Sequence, residues 1–148
     1  MLKTNELEWK LLLSGLWTYL LLNMLFRDVH EFFREGFLAQ ALRGIVNGNT
    51  VTEEALFFGG IALQIPLIMV VVPFLLPTLV NRWANAIAGS VILVGKLAFN
   101  TNPDMDDLLF ALTGSLAILA ILWLSWKGPR ITLPTQIVCN GTTRNVKF

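Results

Sequence analysis

Residues 55–80 read ALFFGGIALQIPLIMVVVPFLLPTLV and contain no Asp, Glu, Lys or Arg. A helix crossing about 30 Å of hydrocarbon needs roughly 20 mostly apolar residues, and this stretch exceeds that length. It has no polar face, which a soluble amphipathic helix would require. Working outward, Leu11 to Phe26 is a second charge-free run, bounded by Lys10 and Arg27, and Leu108 to Trp126 is a third. A fourth runs from Trp83 to about Asn100 and holds one charge, Lys96. The expected architecture is all-α: an integral membrane four-helix antiparallel bundle with spans at about 10–27, 54–80, 83–101 and 106–126. One transmembrane domain would occupy 1–127, followed by a cytoplasmic tail at 128–148.

Composition agrees. The chain has 148 residues, of which 55% are hydrophobic and 14% charged, and its mean hydropathy is +0.64. An ordinary soluble domain is about 25% charged, and a chain this small buries too little of its surface to hide so much apolar area. The net charge of +1 gives no footprint for nucleic acid. One cysteine, Cys139, excludes an intrachain disulfide. The first span lacks a small-residue cleavage site, so it reads as a retained signal anchor.

Lys3, Lys10, Arg82, Lys127, Arg130, Arg144 and Lys147 fall on the side shared by both termini and the middle connection. Trp9, Trp83, Trp123 and Trp126 fall at the same boundary. The positive-inside rule and the interfacial preference of tryptophan both put the termini in the cytoplasm. Between the first two spans, Val29, Phe32, Phe33, Phe37, Leu38, Leu42, Ile45 and Val46 recur at helical spacing. An amphipathic interfacial helix is expected over about 28–46, ended by Asn47-Gly48-Asn49. Thr50 and Glu53 have capping-box spacing for the next span. Asn81-Arg82-Trp83-Ala84-Asn85 reads as a tight turn. The small residues Ala84, Ala88, Gly89, Ser90 and Gly95 give the third span a face suited to close helix contact.

Few residues carry chemistry. Lys96 is the ionisable group inside an apolar segment, a functional candidate by default, although its stem could snorkel to the interface or pair with Asp104 or Glu31. Asn23 and Gln64 are amides in hydrocarbon, expected to bond across helices. Pro66, Pro73 and Pro77 predict a kinked second span. His30 and Glu31, with Arg34, could line an outer pocket, and Asn85 lies at the middle turn. Asp104, Asp106 and Asp107 suit the start of the fourth span. No metal site, phosphate loop or nucleophile elbow is read, and no cofactor is expected. The tail holds a glycosylation-like Asn140-Gly141-Thr142.

Leu22-Asn23-Met24-Leu25-Phe26-Arg27-Asp28, Gln64-Ile65-Pro66 and Asn81-Arg82-Trp83-Ala84-Asn85-Ala86-Ile87-Ala88-Gly89 together resemble a family of small bacterial four-helix membrane proteins, a domain of unknown function. The resemblance spans about Leu11 to Trp126. It implies a multi-pass protein of the bacterial inner membrane and assigns no activity, cofactor or catalytic residue. The expected partners are the lipid bilayer and either a second copy or another membrane protein, and the leading expectation is a non-catalytic protein that acts by helix association. The alternatives are a small oligomeric carrier or channel near Lys96 and the kinked second span, or a quinone- or lipid-binding module.

Overall fold

The computed structural model describes residues 4–46, 49–99 and 105–129. Asn47, Gly48, Asp104, the side chain of Asp106 and the tail with Cys139 lie outside the described residues. The elements are α1 (Thr4–Glu31), α2 (Phe37–Ala41), β1 (Ile45–Val46), β2 (Asn49–Thr50), α3 (Glu53–Leu75), α4 (Thr78–Phe99) and α5 (Met105–Lys127). Three stretches, Asn5–Glu31, Glu53–Leu75 and Asp107–Lys127, are long and apolar enough to cross a membrane, which points to a membrane protein.

α1 packs on α3 and α5, while α4 packs mainly on α5 and more lightly on α3. Hydrogen bonds fix the directions. Near the start of α1, the Trp9 indole N–H donates to Leu124 O at the end of α5 (3.0 Å), and Lys10 Nζ donates to Leu76 O just past α3 (3.2 Å). Near the end of α1, Arg27 Nε meets Asp107 Oδ1 at the start of α5 (2.9 Å). α1 therefore runs opposite to both neighbours.

The core is a stripe on α1, Trp9, Leu13, Trp17 and Leu20, against Met69 of α3 and Ile118 and Ile121 of α5. That spacing puts the four α1 side chains on one face of a helix. Apolar side chains also cover the outside: Leu12, Phe58, Leu79, Val94 and Leu116 are all more than half exposed. An apolar exterior on every long helix suits lipid as the solvent and would drive aggregation in water.

Three sequence expectations are corrected. The interfacial helix over 28–46 does not form as one element. α1 runs through to Glu31, the chain turns, α2 lasts five residues, and Ile45 and Val46 pair antiparallel with Thr50 and Asn49. Gly36 (φ +77°) and Gly44 (φ +71°) adopt the left-handed conformation, which a right-handed helix cannot continue through. The residue that caps α3 is Thr52, whose Oγ1 accepts from Ala55 N (3.2 Å), whereas Thr50 belongs to β2.

The third correction moves the turn between the second and third long helices. It lies at Leu76–Pro77, and Asn81 to Asn85 are inside α4. Leu76 is extended (φ −92°, ψ +147°), the conformation into which a following proline forces its neighbour. Pro77 then leads into α4, where Asn81 N donates to Pro77 O (2.9 Å), and a proline is tolerated at the first turn because its missing N–H is not needed there.

Candidate functional site

Two polar clusters lie between the helices, one toward each end. At the end where α1 begins, Pro77 cannot donate to the carbonyl of Pro73, four residues earlier. Asn81 Nδ2 takes that role (3.1 Å). Asn85 Nδ2 donates to both Asn81 Oδ1 (2.6 Å) and Asn81 O (2.8 Å), and Asn85 Oδ1 accepts from Trp17 Nε1 (2.6 Å). Asn81, Asn85 and Trp17 are completely buried. The chain Trp17–Asn85–Asn81–Pro73 ties α1, α4 and α3 together with both amides satisfied, which a buried polar group requires.

The rim of this end is closed by charged groups acting on helix termini. Arg82 donates to Ser125 O (2.8 Å) and Trp126 O, the last carbonyls of α5, where a cation also meets the negative end of the helix dipole. Glu6 accepts from Thr78 Oγ1 (2.7 Å) and lies 3.4 Å from Lys10 Nζ. Trp9 is buried in the core instead of lying at the surface, while Trp83, Trp123 and Trp126 are exposed.

The second cluster lies where α1, α4 and α5 meet toward the opposite end. Asn23 Nδ2 donates to Thr113 Oγ1 (2.8 Å), which in turn donates to Leu109 O (2.9 Å). A Cβ placed on Gly114 would collide with Lys96 Nζ and lie 2.8 Å from Asn23 Oδ1. The ammonium of Lys96 therefore occupies the room left by the missing side chain. It does not snorkel to the end of its helix, and among the described residues no carboxylate pairs with it. Glu31 lies 3.3 Å from Arg34 instead, at ion-pair distance but without hydrogen-bond alignment. Asn23 and His30 also border an apolar groove of about 580 Å³ between α1 and α5, where the His30 ring stands 6.1 Å from that of Phe110.

Gln64 belongs to neither cluster. It is exposed on α3 and makes no cross-helix hydrogen bond among the described residues. α3 turns Pro66, Met69 and Pro73 inward, while from Glu53 to Gln64 every residue is exposed. Of the small residues of α4, Gly89 packs on α5, where a Cβ would lie 3.2 Å from Leu122 Cδ2, while Ser90 is exposed. Asn81, Thr113 and Gly114 escaped the sequence reading. The one available signal was for Asn81, which follows Pro73 by the eight residues that let it reach the carbonyl orphaned by Pro77.

No curated protein and no solved structure matches the chain. A family model described as a family of unknown function (DUF6326) matches residues 3–127, taking in both polar clusters and all the long helices. The chain belongs to that family.

Proposed function

We propose that this protein is a four-span protein of the bacterial inner membrane that works by binding another membrane helix and carries out no catalysis. α4 is less apolar than α3 and α5, yet its polar side chains Asn81 and Asn85 point inward and are hydrogen bonded. Its outward residues Leu79, Val80, Ile87, Val91 and Val94 are apolar. These two amides meet the requirement that polar groups within hydrocarbon be satisfied internally. Four crossings then place both termini on one side, and the Lys and Arg distribution makes that side the cytoplasm.

The observation that carries the association reading is the uncovered half of α3. Gln64 is the middle residue of a 23-residue helix and points away from the fold. An amide left unpaired in hydrocarbon costs about 2–7 kcal/mol, depending on the reference medium, so a partner is favoured. Native mass spectrometry from nanodiscs should find the protein as an oligomer or bound to a second membrane protein. A strict monomer with nothing bound would overturn the reading.

A second reading, a carrier or channel, rests on Lys96, a cation held between three helices with no carboxylate partner among the described residues. It requires flux in proteoliposomes that falls at least tenfold in Lys96→Ala. Flux at background for both proteins ends it.

A further inference from the structure

We infer that α3 is the interface of a symmetric, co-oriented homodimer, in which Gln64 of each copy pairs with Gln64 of the other. The inference rests on the association reading and names the occupant of the uncovered face.

Phe57, Gly60, Gln64, Ile68 and Val71 recur at spacings of three and four, so they share one side of α3. All five are exposed. Pro66, Met69 and Pro73, the buried residues, lie on the opposite side. The stripe is thus uncovered along the helix, on both sides of its midpoint. Its composition is apolar except for Gln64, and Gly60, one turn away, has no atom within 4 Å of where a Cβ would be. A glycine there lets a second backbone come close.

The polar residue selects the partner. Copies of one membrane protein insert with the same orientation, so a dimer about an axis normal to the bilayer sets each residue of α3 at the depth of its own equivalent. A two-fold interface is self-complementary: what one patch offers, the same patch must accept. Charged or donor-only side chains fail that condition. A glutamine meets it, because its amide carries both donors and an acceptor, and two such amides facing each other at mid-helix form a reciprocal pair. A different protein would have to present its own amide or hydroxyl at the same depth. α4 also carries exposed apolar residues, but its amides Asn81 and Asn85 are buried and already bonded, so it offers no such reciprocal pair.

The test is disulfide trapping in native membranes, in a Cys139→Ser background, with an oxidant. Ile68→Cys and Val71→Cys, which leave the Gln64 pair in place, should each trap a covalent dimer, and Met69→Cys, facing α1, should not. Gln64→Leu with Cys139 intact should lower dimer affinity about ten-fold to a hundred-fold, the worth of two interhelical hydrogen bonds. If neither Ile68→Cys nor Val71→Cys traps a dimer, or Met69→Cys traps one equally well, the α3 homodimer is wrong. If the wild type in that case still co-purifies with a second membrane protein, association survives with another partner. If the wild type is a monomer with nothing bound, association falls as well.

Discussion

Replacing Asn85 by leucine is expected to destabilise the protein by about 2–4 kcal/mol, since each buried polar group left without a partner costs roughly 1–3 kcal/mol. Two groups are orphaned at once: the Trp17 indole N–H, 2.6 Å from Asn85 Oδ1, and Asn81 Oδ1, 2.6 Å from Asn85 Nδ2. Neither can turn to solvent, because both residues are fully buried. Leucine fills the volume, so the loss is polar and not a cavity. Trp17→Phe removes the same bond from the other side and leaves one acceptor unpaired. The double variant Trp17→Phe/Asn85→Leu removes donor and acceptor together and should fall short of the summed single losses by about 1 kcal/mol, as coupled neighbours do. Interhelical bonds in bilayers average only about 0.6 kcal/mol, which favours the lower part of the range. Thermal melts in detergent of the wild type and three variants check this. An Asn85→Leu melt matching the wild type would remove the network as the tie between α1, α3 and α4.

The apolar runs were legible because length and absence of charge are enough to mark a helix that has no polar face. Their boundaries were less so, and Asn81 and Asn85 explain why. In a soluble protein Asn-Arg-Trp-Ala-Asn reads as a turn, since polar residues normally seek water. Here they lie within α4 because the interior supplies their partners, and the true turn needed only Leu76 and Pro77. The lost interfacial helix has a different cause. The apolar period in 29–46 is genuine, but Gly36 and Gly44 interrupt it at positive φ, and Ile-Val followed by Asn-Gly is as much a hairpin signal as a helix stop. Periodicity alone does not weigh these breakers.

The two candidate amides show the limit for the site. Asn23 and Gln64 look alike in sequence, single amides in greasy surroundings. Asn23 faces α5 and bonds Thr113, while Gln64 faces outward. α3 is apolar on all sides, so no hydrophobic gradient tells which face turns in. The two prolines set it instead: Pro66 and Pro73 lie on the packed side, which leaves Gln64 on the other. Lys96 was legible as a misplaced charge, but its lodging was not, since that depends on a missing side chain eighteen positions further on, in another helix.

That lodging predicts a loss that a second substitution relieves. Gly114→Leu should cost about 2–3 kcal/mol, within the range for overpacking a filled site, because its first carbon already meets Lys96 Nζ and Asn23 Oδ1. Both groups are flexible side-chain ends, but moving them has a cost: Asn23 is held by Thr113, and Lys96 is partly buried where α1, α4 and α5 converge. Gly114→Ala demands less room and gains up to about 1 kcal/mol of helix propensity over glycine, so in the wild-type background the two effects should roughly offset. Lys96→Ala empties the space. In that background Gly114→Leu should lose at least about 1 kcal/mol of its penalty, and Gly114→Ala should become stabilising, because the methyl then meets only Asn23 and the propensity gain stands nearly alone. Unfolding midpoints of the three single and two double variants in one detergent measure the coupling. Strictly additive losses would mean that the ammonium is not packed over Gly114 and reaches the interface along its stem, as an exposed lysine would.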